Sequence, residues 1–580
     1  MPGRDLEALS RGFRSAYLDD TQLTQQLRAW ADAYPELCRL TSIARTPEGR
    51  DVWRLAIGRD LDQVRPAVCV DGNLHAAELA GSSVALAIAE DVLRVHLAPE
   101  TLDLPAPILE RLRDVIVFVI PRISPDGAET VLTTGRSLRS LPRDHRVERG
   151  SPRWLLRDLD GDGLSLAMRI ADPGGELVES PEFPGLLVER TVDDAGPYYK
   201  LYPEGVIENF DGRTVPSPFF LGDNPIDLNR NFPWSWVPSH EQVGAGPYPA
   251  SEPESRGILE HATAHPEIFA WLDLHTFGGV LIRPLGHSPD AKMNPEDLAI
   301  FRQLEAWMLE YTGYPTVSGH DEFLYEPEKP LRGDLSDYTY NQRGAIGYVI
   351  ELWDLFARLG MARPPKFVQY YDRVSRADLV RLAWWDRDEN GGRCFPPWRP
   401  FVHPQLGAVE IGGIDPRIGI WNPPLHELNQ VCVTQSNVFL RVAALAPRIG
   451  VARIDQEALE GGLTRIGVHV QNDGYLGTYG LPSARALDFN EPLYATARVT
   501  GCALVDPADA HQTLGHLDGW GHGLHTGQNL PAYPGTRGTT NAAWATYLVR
   551  GAGSLELRIG SARAGFTSVV IEVRGARTNL

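Results

Sequence analysis

A chain of 580 residues is too long for one ordinary hydrophobic core, so two or more domains are expected. Its composition, 43% hydrophobic and 22% charged, is that of a soluble globular protein; no run approaches the length of a membrane span, and a net charge of -20 disfavours nucleic acid or an anionic membrane as the main partner. The five cysteines (Cys38, Cys69, Cys394, Cys432, Cys502) are scattered and odd in number, which argues against a disulfide scaffold and a cysteine zinc site, and the polar N-terminus without an apolar signal core makes a cytoplasmic location the expectation.

Thr21 to Tyr34 has the spacing of an amphipathic helix, with Leu23, Leu27, Trp30 and Ala31 on one face. Two extended runs follow, Cys38–Ala44 and Val52–Ile57, joined by a turn at Pro47–Arg50. Pro66–Val70 reads as a short apolar strand, Ser82–His96 as a helix and Asp114–Ile120 as a buried strand. Strands alternating with helices predict an α/β fold, a sheet covered on both faces. From Arg136 to Asp227 the chain turns rich in Pro, Gly and Asp with weak periodicity, so residues of about 140–222 read as a long loop-rich insertion. Ile268–Leu274 and Ala345–Leu352 are further buried-strand candidates, and Gln369–Trp385 has helical spacing. The expected division is a catalytic domain over 1–400, a connecting segment over 401–450, and over 451–580 a β-sandwich of short strands between turns.

Between the strand Pro66–Val70 and the helix Ser82–His96 lies Asp71-Gly-Asn-Leu-His75-Ala-Ala-Glu78. A His-x-x-Glu pair can supply two of the protein ligands of a catalytic zinc ion, and a strand end is where α/β sheets collect ligand-binding residues. The spacing alone is weak: His145 and Glu148 repeat it, and His261 with His265 has metal spacing on a helix but reads as a surface pair. His511, His516, His522 and His525 read as solvated histidines in a Gly-rich loop. A third ligand is offered by Trp271-Leu-Asp-Leu-His275, where a histidine ends an apolar strand, with Asp273 as its orienting partner; a buried, hydrogen-bonded histidine is the equal alternative at this point. Glu351 ends the apolar run Ile346–Ile350, where partial desolvation would raise its pKa and suit it to take a proton from zinc-bound water; taken by itself, a surface glutamate at a strand terminus is the stronger reading. Asn229 and Arg230 stand side by side, able to grip a carboxylate, and Arg136 and Arg139 offer a second cationic pair; each segment by itself equally fits a solvated loop.

Taken in order, these segments resemble the zinc carboxypeptidase family typified by pancreatic carboxypeptidase A, over roughly Tyr17 to Trp385 with the insertion between. The resemblance implies a single zinc held by His75, Glu78 and His275, with Glu351 as the general base. Ser124-Pro-Asp-Gly127 resembles the family's Asn-Pro-Asp-Gly turn. Arg139 would then polarise the scissile carbonyl, Arg136 would line the substrate's path, and Asn229 and Arg230 would hold its terminal carboxylate. Gly244–Glu254 resembles the loop before the third ligand, and Asp337–Asn341 keeps the family's spacing to Glu351. The family's mobile tyrosine falls by count on Lys329, with Tyr325 nearby as its substitute. The family's side-chain-selecting position is Ser336, and Asp334 close by could attract a basic side chain.

Asp158-Leu-Asp-Gly-Asp-Gly163 resembles the start of a calcium loop, but its twelfth position is Arg169 rather than Glu, and a turn is the stronger reading. The implied function is zinc-dependent removal of a C-terminal residue from a peptide or acyl-amino-acid substrate with a free carboxylate. The alternatives are an amidase or deacylase acting on N-acyl amino acids or cell-wall peptides, and a non-catalytic binding module on a decayed peptidase fold.

Overall fold

The computed structural model describes residues 6–136, 138–143, 150–218, 226–326, 328–524 and 537–574. Short β-branched and apolar runs separated by helices build a central sheet of eight strands. In spatial order these are Cys38–Arg45, Asp51–Ile57, Ile116–Ile120, Ala67–Gly72, Ile268–Thr276, Ile346–Leu352, Val280–Arg283 and Thr316–Ser318. The middle four run parallel to one another, and the strands that flank them, Asp51–Ile57 and Val280–Arg283, pair with them antiparallel.

The parallel strands are buried on both faces, which is why they read as unbroken apolar runs rather than alternating ones. Val68, Val70, Val117 and Val119 face one core, shared with the helices Asp20–Ala33, Leu79–Leu97, Pro295–Thr312 and Leu425–Ala443. Ala67, Cys69, Ile116 and Phe118 face the other, under Pro253–Ala264 and Leu335–Arg343. The architecture is α/β, a mixed sheet with helices on both faces. The helix Leu425–Ala443, from the connecting segment, packs beside Leu79–Leu97 within the first layer.

The insertion carries short strands joined by turns. Ala167–Ala171, Leu177–Glu179, Leu187–Glu189 and Tyr198–Pro203 join Arg399–His403 and Gly407–Gly412 in a six-stranded sheet. Strands of three to six residues are too short to show a period in sequence, and Arg169 pairs across the sheet with Leu201 on one side and with Glu410, far along the chain, on the other. At the C-terminus two four-stranded antiparallel sheets form the sandwich. Every second residue of Leu463–Asn472, Ala542–Arg550 and Gly553–Ser561 turns inward, placing Ile466, Val468, Val470, Tyr547, Val549, Leu555 and Leu557 in one core. Arg563 pins the sandwich to the main sheet. Fully buried, it donates to the carbonyls of Ile268 and Arg343, and burial lowers its pKa to about 9.

Candidate active site

The parallel strands Ala67–Gly72, Ile268–Thr276 and Ile346–Leu352 end side by side, and the candidate residues follow from those ends. After Gly72 the backbone turns through Asn73 at φ 55, a left-handed conformation that asparagine tolerates better than most residues. The Asn73 amide donates to the carbonyls of His75 at 2.6 Å and Ala76 at 3.2 Å, and its Oδ1 accepts from Ser82. The turn is thus fixed locally before the helix Leu79–Leu97 starts. A Cβ on Gly81 would lie 2.9 Å from the Leu274 carbonyl oxygen, so only glycine lets the helix start settle onto the strand that carries His275.

His75, Glu78 and His275 converge in this corner at 3%, 2% and 2% exposure. The two imidazole Nδ1 atoms are 2.9 Å apart, His75 Nδ1 is 2.8 Å from Glu78 Oε1, and His275 Nδ1 is 2.9 Å from Glu78 Oε2. Two ring nitrogens and a carboxylate converge on one point, shut away from water, where a cation would take the place of the protons that otherwise hold them together. The N, N, O donor set is one that zinc accepts. The outer contacts have the matching sense. His75 Nε2 lies 3.1 Å from Asp227 Oδ1 and His275 Nε2 lies 2.9 Å from Asp273 Oδ2, leaving each Nδ1 for the metal side.

The electrostatics follow the same geometry. Burial would raise Glu78, but the neighbouring His75 and His275 hold it down at about 2. Burial would lower His275, but Asp273 and Glu78 raise it well above its ordinary value. Asp227, half-buried, is held well below the usual carboxylate range by Arg139, His75 and Arg230 against the desolvation that would raise it.

Glu351 is the register partner of His275 across the two parallel strands. Its Oε2 is shut from solvent without a hydrogen-bond partner, and burial with the nearby charge of Glu78 pushes the carboxyl up to about 8. That is the setting for a proton acceptor near neutral pH.

Arg139 reaches the same corner from the loop after the helix Pro125–Thr134. A Cβ on Gly127 would fall 1.9 Å from the Ser140 carbonyl oxygen, so glycine there admits the loop. The Arg139 carbonyl accepts from the Ala76 amide at 2.8 Å, its Nε donates to Asp227 Oδ2 at 2.9 Å, and its Nη1 lies 3.8 Å from Glu78 Oε1. Arg136 sits half-buried one residue after the left-handed cap Gly135.

Asn229 and Arg230 occupy a short 3-10 turn whose cap, Asp227, accepts from the Asn229 amide at 2.8 Å. Asn229 Oδ1 accepts from the Leu335 amide at 2.9 Å. Arg230 Nη1 donates to the Asn229 carbonyl at 2.6 Å, and among the described residues no carboxylate lies within ion-pair distance of Arg230. Tyr325 is half-exposed in the field of Arg139, Glu351 and Arg230; crowding around its hydroxyl raises its pKa. Asp334 caps the helix Leu335–Arg343, its Oδ1 accepting from the Asp337 amide at 2.8 Å and the Ser336 hydroxyl at 2.7 Å. Its Oδ2 is buried without a partner, and burial beside Asp337 raises the carboxyl to about 7.

Other sequence candidates lie apart. His261 packs edge-on against Phe118 and Trp271, and His265 pairs with Glu267. His261 is therefore a core residue rather than a member of a surface pair, because its ring fills the layer under the sheet. His145, Glu148 and His525 lie outside the described residues. Asp158, Asp160 and Asp162 do group together, but Asp158 accepts from the Gly161 and Gly163 amides and Asp162 from the Leu164 amide. Sequence reasoning missed Asp227 as the partner of His75. Its place two residues before Asn229 in Asp-Leu-Asn-Arg was the available signal.

Comparison with known proteins follows the same boundaries. A family profile described as zinc carboxypeptidase matches residues 23–153 and 220–377, and a domain of unknown function matches 448–572. Mast cell carboxypeptidase A from Homo sapiens is 29% identical over 139 residues, 22% of this chain and 32% of that protein. Carboxypeptidase B from Astacus astacus is 30% identical over 138 residues, 24% of this chain and 41% of that protein. The chain therefore aligns with well under half the length of these relatives. Among solved structures, thrombin activatable fibrinolysis inhibitor aligns over 75% of both chains with a TM-score of 0.43 and 13% sequence identity.

Proposed function

The chain belongs to the zinc carboxypeptidase family, and from that premise we propose that it is a zinc-dependent carboxypeptidase that removes the C-terminal residue of peptides. The observation that carries this reading is the buried convergence of His75, Glu78 and His275 beside the unpartnered Glu351 carboxyl, with Arg230 free of any ion-paired carboxylate among the described residues. When bound there, zinc supplies a Lewis acid that lowers the pKa of a coordinated water to about 7 and polarises a carbonyl.

The chain's own residues divide the remaining work. His75, Glu78 and His275 hold the metal, and Asp227 and Asp273 orient the two imidazoles. Glu351 takes the proton of the attacking water and returns it to the leaving amine; its raised pKa keeps it able to carry that proton between steps. Arg139 is fixed by Asp227 through Nε, which leaves its other nitrogens to meet the negative charge that develops on the carbonyl oxygen. Arg230 and Asn229 anchor the substrate's terminal carboxylate, so that only the last peptide bond reaches the metal. Arg136 lines the approach, Tyr325 closes over the terminal residue, and Ser336 and Asp334 border its side chain.

The test is metal analysis of the full-length protein combined with an assay on C-terminally varied peptides and N-acyl amino acids. The expected result is about one zinc per chain and release of single C-terminal amino acids. Zinc bound with no hydrolysis of any substrate in the panel would overturn the assignment in favour of a binding role. Preference for N-acyl amino acids would move it to an amidase or deacylase.

A further inference from the structure

Residues Asp415 to Asn422 lie between the strand Gly407–Gly412 and the helix Leu425–Ala443, beyond the part of the chain that matches the carboxypeptidase profile. The loop nevertheless reaches the backbone behind several parts of the proposed site. Asn422, with no exposed surface, donates through Nδ2 to the Ala77 carbonyl and accepts at Oδ1 from the Ala80 amide, both at 2.8 Å. Ala77 and Ala80 bracket Glu78, so one side chain clamps the backbone on both sides of the metal-binding carboxylate. The Trp421 ring meets Phe277, two residues past His275, edge-on at 5.4 Å. It also packs against the cluster of Ala76, Ala77 and Leu138, the neighbours of His75 and Arg139. The Gly419 carbonyl accepts from Trp353 Nε1 at 3.0 Å, two residues past Glu351. Trp353 stands at φ 66, a strained conformation for a bulky residue that persists where the surroundings over-determine it.

The loop is itself closed. The Gly419 amide donates to the Asn422 carbonyl at 2.7 Å, and Asn422 Nδ2 also donates to the Arg417 carbonyl at 2.8 Å. Arg417 is locked to Asp415 and donates to the Leu132 carbonyl at 3.1 Å, in the last turn of the helix that precedes Arg139. Every polar atom of the Asn422 amide is thereby spent on holding the metal-binding turn to a rigid loop.

We propose that this loop is a clamp that presets the metal site, and that Asn422 is a positioning residue acting through the backbone of Glu78. The inference rests on the zinc-binding reading above. Without the clamp the Glu78 carboxylate must be ordered at the moment the metal binds, and that ordering is subtracted from affinity. Loss of partners behind metal ligands typically weakens metal binding about 10- to 100-fold.

The experiment measures zinc affinity of the full-length protein by competition with a chromogenic chelator, alongside the thermal unfolding of the zinc-free form. Asn422→Ala is expected to bind zinc about 10- to 100-fold more weakly while the zinc-free protein remains folded. Asn422→Ser keeps a small hydroxyl that can serve one of the backbone groups but cannot span both Ala77 and Ala80; it is expected to fall between wild type and Asn422→Ala, and it carries the test if the alanine variant fails to fold. Trp353→Phe, which removes the bond to Gly419, is expected to lower kcat with KM and zinc affinity unchanged, because it loosens the strand of Glu351 and not the turn of Glu78. Wild-type zinc affinity in the folded Asn422 variants would overturn the clamp, and so would a loss of zinc-free stability without loss of affinity. Failure of the wild-type protein itself to bind zinc would instead overturn the reading beneath it.

Discussion

Two regions of the molecule bring three candidate ligands together, and they differ in everything except that. His75, Glu78 and His275 are buried, come from the ends of two neighbouring strands, and point their lone pairs at one another. Asp158, Asp160 and Asp162 come from one local turn, are largely solvent-facing, and spend carboxylate oxygens on their own backbone amides. In the first region the sheet brings the metal-binding atoms of distant segments to one point, and outer carboxylates turn the rings to face inward. In the second, a turn has satisfied itself. A site is marked by buried metal-binding atoms from separate elements that converge on one point, whereas a cluster of acidic residues by itself marks a loop.

The contrast can be broken most directly at His275. His275→Ala is expected to abolish stoichiometric zinc binding and lower turnover by at least about three orders of magnitude, measured by metal analysis and peptide hydrolysis; retained zinc would show the convergence to be incidental. Glu351→Gln is next. It should keep zinc and fold normally while losing about 10²- to 10⁴-fold in kcat, and near-normal turnover would remove Glu351 from the mechanism. Arg230→Ala should cost about 2–5 kcal/mol in kcat/KM for substrates with a free terminal carboxylate, and much less for their amides.

A pH series sharpens the same comparison. In the zinc-free protein His275 is held protonated by Asp273 and Glu78 against its burial, and Glu351 titrates at about 8. Both folded-state values lie above the unfolded ones, so the protons are present at neutral pH and are displaced when a cation arrives. Zinc binding should therefore release protons, and affinity should rise with pH by about tenfold per unit for each proton released. Calorimetry in buffers of different ionisation enthalpy reads this, and an affinity flat between about pH 6 and 8 would contradict it. The smallest effect is expected at the other cluster: Asp160→Asn should change stability by no more than about 0.5 kcal/mol and leave zinc binding untouched.

What the sequence made legible was local. His75 and Glu78 share one turn, and His275 and Glu351 each close an apolar run, so short windows revealed them; the ordered resemblance then joined them. The α/β sheet and the C-terminal sandwich were readable for the same reason, because their strands carry their own apolar pattern. The partnership of Asp227 with His75 was harder, since it joins positions 152 apart. Asn422 was invisible: it lies in a Gly- and Pro-rich stretch without period, and its partners Ala80 and Ala77 stand 342 and 345 positions earlier. The side-chain pocket is intermediate. Asp334 and Ser336 were legible as polar neighbours, but only the fold shows that Asp334 Oδ1 is spent on a helix cap while Oδ2 stays buried and unpaired.

The central claim is that this site cleaves beside a free carboxylate, and one pair of substrates tests it. The zinc-loaded full-length protein is given a peptide with a free C-terminus and the same peptide as its C-terminal amide, and kcat/KM is measured for loss of the last residue. The account predicts cleavage of the free acid with the amide slower by at least about 30-fold, the share carried by the anchor at Arg230 and Asn229. Equal rates on both peptides, or cleavage of the amide alone, would contradict it.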